Sequence, residues 1–284
     1  MKTNELKKIA RVAAVHDMCG FGKCSLATAL PIISACGIET SVLPTAVLST
    51  HTGGFENFTY RDLTSDMIPV FEHWKKLGLT FDAVYTGFLG SIEQIEIVKK
   101  IIEYYRLRKG LAVVDPVMAD NGKLYKIFPA SFPREMLKMC AVADILVPNI
   151  TEACFLTNEE YREGPYSKKY IQNLIDKLLA TGAKQVVLTG VYLKEGRLGA
   201  ACSDGKTTEY YFTQKIEGYY HGTGDVFASA LTGGILNGKT LAESTAIAAE
   251  YVVACIKTTQ KEGRDIKYGV NFEENIPKLI KSIK

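Results

Sequence analysis

The chain has 284 residues, 47% hydrophobic and 23% charged, with a formal net charge of +3. A chain of this length buries roughly three quarters of its unfolded surface, so disorder, a collagen repeat and a disulfide scaffold are excluded for the chain as a whole. The weak positive balance, without long blocks of like charge, gives no argument for a nucleic-acid partner, yet leaves room for small anionic ligands.

The segment Met1–Val15 is basic and then briefly apolar. Its apolar part, Ile9–Val15, is interrupted by Arg11 and runs into His16-Asp17, which suits a first strand better than a leader peptide. Further β-rich runs follow at Ser41–Val47, Ala83–Thr86, Leu111–Asp115, Ile145–Pro148, Gln185–Thr189 and Gly199–Ser203. Helix-period stripes lie between them. Ile92, Ile95, Val98, Ile102 and Tyr105 mark one; Ile171, Leu174, Ile175, Leu178 and Leu179 mark another. A long small-residue helix opens near Gly222, and Ile276–Lys284 reads as an amphipathic terminal helix packed on the domain. Strands apolar throughout are buried on both faces. The alternation predicts one α/β domain over residues 1–284, an open doubly wound and mostly parallel sheet with helices on both faces. No apolar run is long enough to span a membrane. The seven cysteines, odd in number and without a Cys-x-x-Cys pair, read as reduced thiols of a cytoplasmic protein.

Several apolar runs stop on polar residues: His16-Asp17, Thr86-Gly87, Asp115-Pro116, Asn149 after Pro148, and Thr189-Gly190. Such residues end strands and cap helices, but in open α/β sheets ligands also bind outside the carboxyl ends of the strands. Five in one chain favour a shared crevice.

His221-Gly222-Thr223-Gly224-Asp225 carries the chemistry. Two glycines at a helix start leave backbone N–H groups free, and with the helix dipole they form an anion site. A carboxylate there, Asp225, is a poor phosphate binder but a good proton acceptor. The pattern predicts a base that deprotonates an alcohol while N–H groups stabilise a transferring phosphoryl group. The plainer alternative is a helix start with Asp225 complementing the dipole.

Gly-Thr-Gly-Asp225-Val-Phe-Ala, opening a late helix, resembles the signature of the ribokinase superfamily of small-molecule kinases. Asp115-Pro116-Val117-Met118 with Asp120 and Gly122–Tyr125, Ala143–Ala153 around Pro148-Asn149 and Glu152, and Val187–Gly190 resemble segments of its vitamin-kinase branch. Pro44–Gly53, ending in His51-Thr52-Gly53, is similar to a stretch of the pyridoxal kinases.

The resemblance implies a ribokinase-like fold with a short lid loop near Asp120–Tyr125 and transfer of phosphate from ATP to the 5′-hydroxymethyl group of a B6 vitamer. It implies Asp225 as general base and Gly222, Thr223 and Gly224 as the anion hole. Asn149 and Glu152 match positions linked to Mg²⁺, which keeps several waters and takes few carboxylates. Asp115, Asp120, Tyr125, Asn149 and Thr189 match the nucleotide side; Asp17, Thr45, His51 and Phe88 the vitamer side, Phe88 as a stacking aromatic. Asp17 stands where many pyridoxal kinases carry serine, and Ala119 replaces a glycine usual after the Asp-Pro-Val-Met segment. A homodimer is implied, and a monovalent cation such as K⁺ is compatible with the resemblance.

Two rival readings remain. Hydroxymethylpyrimidine kinase shares most of these motifs, and a catalytically silent vitamer binder would keep the scaffold. Gly20–Ser25 only superficially resembles a P-loop, since Asp17 stands where its first glycine belongs and Cys24 follows Lys23. His221 reads as a residue shaping the anion hole, and Cys19 and Cys24 as buried thiols.

Overall fold

A computed structural model describes residues 9–284; residues 1–8 of the opening basic segment lie outside the described residues. In chain order the elements begin with β1 (Arg11–Phe21), α1 (Leu26–Ala35), β2 (Glu39–Thr50), β3 (Tyr60–Asp62), α2 (Thr64–Lys76), β4 (Ala83–Thr86), α3 (Ile92–Arg106) and β5 (Leu111–Val114). They continue with β6 (Ala119–Asp120), β7 (Lys123–Leu124), α4 (Phe132–Cys140), β8 (Ile145–Leu146), α5 (Ile150–Thr157), α6 (Lys168–Ala180) and β9 (Gln185–Lys194). Last come β10 (Arg197–Ser203), β11 (Thr208–Gln214), α7 (Thr223–Leu236), α8 (Leu241–Glu262) and α9 (Ile276–Ile283).

The main sheet runs β11-β10-β9-β8-β5-β4-β1-β2-β3. Pairing is parallel from β2 through β1, β4, β5 and β8 to β9, and antiparallel where β3, β10 and β11 extend the edges. Side-chain alternation along β1 builds two cores. Ala13 and Val15 join the cluster under α2, α3, α4, α5 and α6, while Val12 and Ala14 join the one under α1, α7, α8 and α9. The chain leaves β1 for β2 on one side and later returns to β4 on the other, so the strand order reverses at β1. That reversal is where doubly wound sheets open a crevice.

Strand boundaries depart from the apolar runs in several places. The first strand does not stop before His16-Asp17; β1 continues to Phe21 beside β2, with a one-residue slip in the ladder between His16 and Met18. Such an irregularity re-aims side chains next to a site. The run at Thr189-Gly190 is not a strand end either. Gly190 (φ +73°) sits in a bulge, and β9 goes on to pair with β10. The edge strand β11 escapes the sequence reading: Thr208–Gln214 is half polar and only partly buried. The terminal helix α9 does pack on the fold, burying Leu279 and Ile283.

Helix ends follow local chemistry. Asn149 with Glu152, and Thr240 with Glu243, form capping boxes that satisfy N-terminal N–H groups of α5 and α8. Helix α1 starts differently. Ser25 precedes it at φ +61° and makes no side-chain cap. All seven cysteines are free and buried. Among the described residues no helix is long and apolar enough to cross a membrane.

Candidate active site

The parallel ladder carries past the strand ends and sets the predicted residues side by side. Gly87 N–H donates to the Val15 carbonyl (3.0 Å), Asp115 N–H to Thr86 (3.1 Å), Val147 N–H to Val114 (2.8 Å) and Thr189 N–H to Pro148 (2.9 Å). Gly87, Asp115, Asn149 and Thr189 thereby line up across the carboxyl edge, next to Asp17 at the end of the buried part of β1.

The start of α7 faces this edge. Its first backbone bond runs from Val226 N–H to the Gly222 carbonyl (3.0 Å), and no side chain caps the helix. The N–H groups of Thr223, Gly224 and Asp225 are left pointing outward, as an anion site requires. Gly222 enters the helix at φ +76°, where a β-carbon would come within 1.9 Å of the Lys23 carbonyl oxygen. Thr223 Oγ1 donates to the Tyr220 carbonyl (3.1 Å) and steadies the turn.

Both oxygens of Asp225 are held. Ser25 N–H donates to Oδ2 (2.9 Å), and His16 Nε2 lies 2.9 Å from Oδ1. The unusual backbone of Ser25 thus aims a donor at Asp225. On its other side His16 Nδ1 lies 2.8 Å from Asp17 Oδ1, whose Oδ2 accepts from the Cys19 thiol (3.2 Å). Burial opposes charge on both His16 and Asp17, but their mutual hydrogen bond and attraction win. Asp17 is held below the usual carboxylate range, and His16, helped by Asp225, is pushed up to about 10.

Asp115 is different. Burial first, then the Asp225 charge, push its carboxyl up to about 8. Burial and the Asp115 charge also raise Glu152 well above the ordinary range. Glu152 accepts backbone N–H from Met118 (3.1 Å) at one oxygen and from Asn149 (2.8 Å) at the other. The Asn149 side chain is equally committed, its Oδ1 accepting Glu152 N–H (2.9 Å) and its Nδ2 donating to the Ala119 carbonyl (2.9 Å). Among the described residues no three His, Cys, Asp or Glu side chains are grouped to hold a metal ion unaided.

The expected lid loop is a small hairpin of β6 and β7. Asn121 (φ +49°) and Gly122 (φ +72°) make its two-residue turn, the Asn-Gly chemistry such a turn demands. Gly122 N–H donates to Thr151 Oγ1 (3.1 Å) on α5, and the Tyr219 hydroxyl donates to Asp120. Tyr125 stacks beside Phe128 at the hairpin's base, its phenol raised by burial and the Glu152 charge.

The residues matched to the vitamer side form walls. Thr45 is fully buried, and its hydroxyl donates to the Phe88 carbonyl (3.0 Å), tying β2 to the loop after β4. The Phe88 ring is 9% exposed and packs on Phe128, so the structure brings it into the core beside the crevice. His51 donates from Nε2 to the Lys267 carbonyl (2.7 Å) and accepts Gly53 N–H at Nδ1 (3.2 Å), and burial holds it neutral. Its ring lies 5.2 Å from that of His221, so the His-Thr-Gly loop buttresses the turn entering α7. The side chain of Lys23, in the P-loop-like stretch, pairs with Glu273.

Sequence reasoning placed His16 and Gly87 among the polar strand ends without giving them a role, and passed over Ser25 and Tyr219. His16 had a signal, a polar residue closing an apolar run on the face of Val12 and Ala14. Gly87 is small because a β-carbon there would lie 1.9 Å from the His16 ring.

Comparison with known proteins agrees with this geometry. The profile of a family described as phosphomethylpyrimidine kinase matches residues 30–270. Pyridoxine kinase of Bacillus subtilis (strain 168) is 30% identical over 185 residues, which span 63% of this chain and 65% of that relative, slightly under two thirds of its length. A "putative phosphomethylpyrimidine kinase" from Bacteroides thetaiotaomicron is 33% identical, with a TM-score of 0.92 and coverage of 97% and 96% of the two chains. Its orthorhombic form, 34% identical with a TM-score of 0.90, was solved with pyridoxal, and each chain is 96% covered. Pyridoxal kinase from Lactobacillus plantarum is 29% identical, with a TM-score of 0.87 and coverage of 96% and 98%. With the family profile covering most of its length, this chain belongs to the phosphomethylpyrimidine kinase family, on the ribokinase-like fold it shares with the pyridoxal kinases.

Proposed function

We propose that the protein is an ATP-dependent kinase that phosphorylates the 5′-hydroxymethyl group of a B6 vitamer (pyridoxal, pyridoxamine or pyridoxine), in salvage towards pyridoxal 5′-phosphate. One observation carries this reading. The Asp225 carboxylate stands in the first turn of α7, beside uncapped N–H groups, at the carboxyl edge of the sheet. A pure binder has no need of a base there.

In the reaction the alcohol oxygen bonds to the γ-phosphorus as the bond to the leaving ADP oxygen breaks, and the alcohol proton goes to Asp225. Charge on the moving phosphoryl group is met by the N–H groups of Thr223 and Gly224 with the helix dipole. Such transfer depends mostly on positioning and charge stabilisation. The raised carboxyls of Asp115 and Glu152 are a donor set that calls for a cation. Mg²⁺ fits them: Asp115 would hold it, with Glu152 acting through water because backbone N–H groups engage both its oxygens. That ion supplies neutralisation of phosphate charge. The Asn149 side chain serves this centre by fixing α5 and the hairpin, while Asp120, Tyr125 and Thr189 border the nucleotide. The vitamer lies against Asp17, Thr45, His51 and Phe88. We assign the whole chain to one kinase domain, acting in the cytoplasm as a homodimer; a K⁺ ion beside the anion hole belongs to the same proposal.

The family description favours a second reading, phosphorylation of hydroxymethylpyrimidine. The His51-Thr52-Gly53 stretch favours the vitamer. An ADP-release assay across pyridoxal, pyridoxamine, pyridoxine and hydroxymethylpyrimidine separates the two. Turnover confined to hydroxymethylpyrimidine would replace the vitamer reading; failure on all four would end both.

A further inference from the structure

Four carboxyl groups, Asp17, Asp115, Glu152 and Asp225, gather at the carboxyl edge, and the first three are buried. Carboxylates removed from water need a counter-charge or they take up protons. One ring is built into their midst. His16 is 2% exposed, and each of its nitrogens faces a carboxylate oxygen, Asp17 at 2.8 Å and Asp225 at 2.9 Å. Its partner on α7 is 209 residues away in sequence. The space it occupies exists because residue 87 is glycine.

We propose that His16 is a positioning residue for phosphoryl transfer, an imidazolium clamped by Asp17 that orients Asp225 and balances its charge. The inference rests on Asp225 being the base. The clamp has a clear order. Asp17 fixes the ring through Nδ1–H, and Nε2–H holds Asp225 Oδ1. Ser25 N–H approaches Oδ2, leaving that oxygen a second lone pair for the alcohol proton. His16 carries the same two protons before and after transfer, so the only proton that moves is the alcohol's. Outer partners of this type contribute by holding a reacting group in its productive geometry.

The surroundings of His16 bear on its charge. Asp17 and Cys19 come from β1, Cys24 and Ser25 from the turn before α1, Tyr85 from β4, Asp115 from the end of β5, and Asp225 from α7. His51 feels the Asp17 and Asp225 charges too, but is held neutral by burial. The carboxylates in this shell favour the protonated ring, and burial alone opposes it. The amide nitrogens of Asp17 and Phe88 also approach Nδ1, at 3.0 and 3.1 Å. They would donate only to a neutral ring, which would then meet Asp17 lone pair to lone pair. The two protonation states therefore make opposite predictions.

The test uses the full-length protein and the substrate that wild type turns over. His16→Gln keeps a side-chain donor and removes the charge. It should lower kcat about 10- to 100-fold near pH 7, the usual range for such partners, while KM for ATP stays within about threefold. The loss should shrink as pH climbs towards 10, because wild type then loses its imidazolium as well. Equal kcat and an unchanged pH profile would overturn the proposal, as would a loss confined to KM. ¹⁵N NMR of wild type gives a readout independent of turnover and of the variant's stability. The four histidines are resolved by single substitutions, and His16 should keep its imidazolium signature at pH 8.5; a neutral ring there overturns the proposal. A wild type that phosphorylates none of pyridoxal, pyridoxamine, pyridoxine and hydroxymethylpyrimidine defeats the functional reading. An active wild type with an indifferent His16→Gln variant defeats this inference alone.

Discussion

Gly222 and Gly224 lie two residues apart in one motif, yet the structure gives them opposite sensitivities to alanine. At Gly222 the backbone is left-handed (φ +76°), and a β-carbon would sit 1.9 Å from the Lys23 carbonyl oxygen and 3.3 Å from the Cys24 sulfur. The first contact is with backbone, so relief requires moving the Lys23–Ser25 segment. That segment is pinned by Lys23 N–H to the Tyr268 carbonyl (3.0 Å) and delivers Ser25 N–H to Asp225. The left-handed strain costs about 1–2 kcal/mol, and a hydrogen bond to a charged group is worth about 1.5–3 kcal/mol. Gly222→Ala should therefore cost about 3–5 kcal/mol. For a chain of 284 residues this is a fall in Tm of roughly 5–8 °C, with turnover lost as Asp225 loosens. Gly224 has nothing within 4 Å of a built β-carbon and lies inside α7. Gly224→Ala should leave Tm unchanged or slightly higher, since alanine is the better helix former by about 0.5–1 kcal/mol. Any loss of its turnover then reports phosphate approach to the helix start. Thermal melts and ADP release measure both. A Gly222→Ala protein melting within about 2 °C of wild type would refute the clash argument.

Asp225→Asn should leave nucleotide affinity near normal and lower turnover about 10²-fold or more; unchanged turnover removes Asp225 from the role of base. Glu152→Gln should raise the magnesium needed for half-maximal rate, read from a metal titration, and weaken the α5 cap by about 1 kcal/mol; an unshifted requirement counts against the metal assignment. Tyr219→Phe removes the hydroxyl that donates to Asp120, so amide exchange across 119–125 should quicken; equal rates would show that this contact does not hold the hairpin. His16, ordinarily near 6.5, is pushed up to about 10 in the fold. Its stabilisation is therefore complete below about pH 6.5 and fades as pH climbs towards 10. Between pH 6.5 and 8.5 the loss from His16 is about 2 kcal/mol, roughly 3–4 °C in Tm; Asp115, pushed up to about 8, titrates in the same window and adds a fall of its own with or without His16. A wild-type Tm that falls no more than that of His16→Gln across this window would contradict the buried imidazolium.

Much of the fold was legible because it rests on local rules. Short β-branched runs alternating with helical stripes announced the parallel sheet, and Asn121-Gly122 carries the chemistry of a two-residue hairpin turn. Asn149 followed by Glu152 carries both halves of a capping box. What local pattern hides is continuation. β1 passes through polar His16-Asp17 because the ladder with β2 slips by one residue, and β9 passes Gly190 because a bulge absorbs it. The edge strand β11 was missed for a related reason, since half-polar strands at an edge lack the apolar signal of the centre.

For the site, the residue types and their order along the chain were determined by sequence alone: a Gly-rich helix start with Asp225, polar residues at strand ends, and the motifs of a small-molecule kinase family. Tertiary structure alone decided how those groups divide their work. It sank Thr45 and Phe88 into the wall, committed Asn149 and both oxygens of Glu152 to backbone partners, and set His16 between Asp17 and Asp225. The reason is physical. A cap or a turn is settled within a few residues, whereas charge depends on burial and on which distant groups packing brings within about 3 Å.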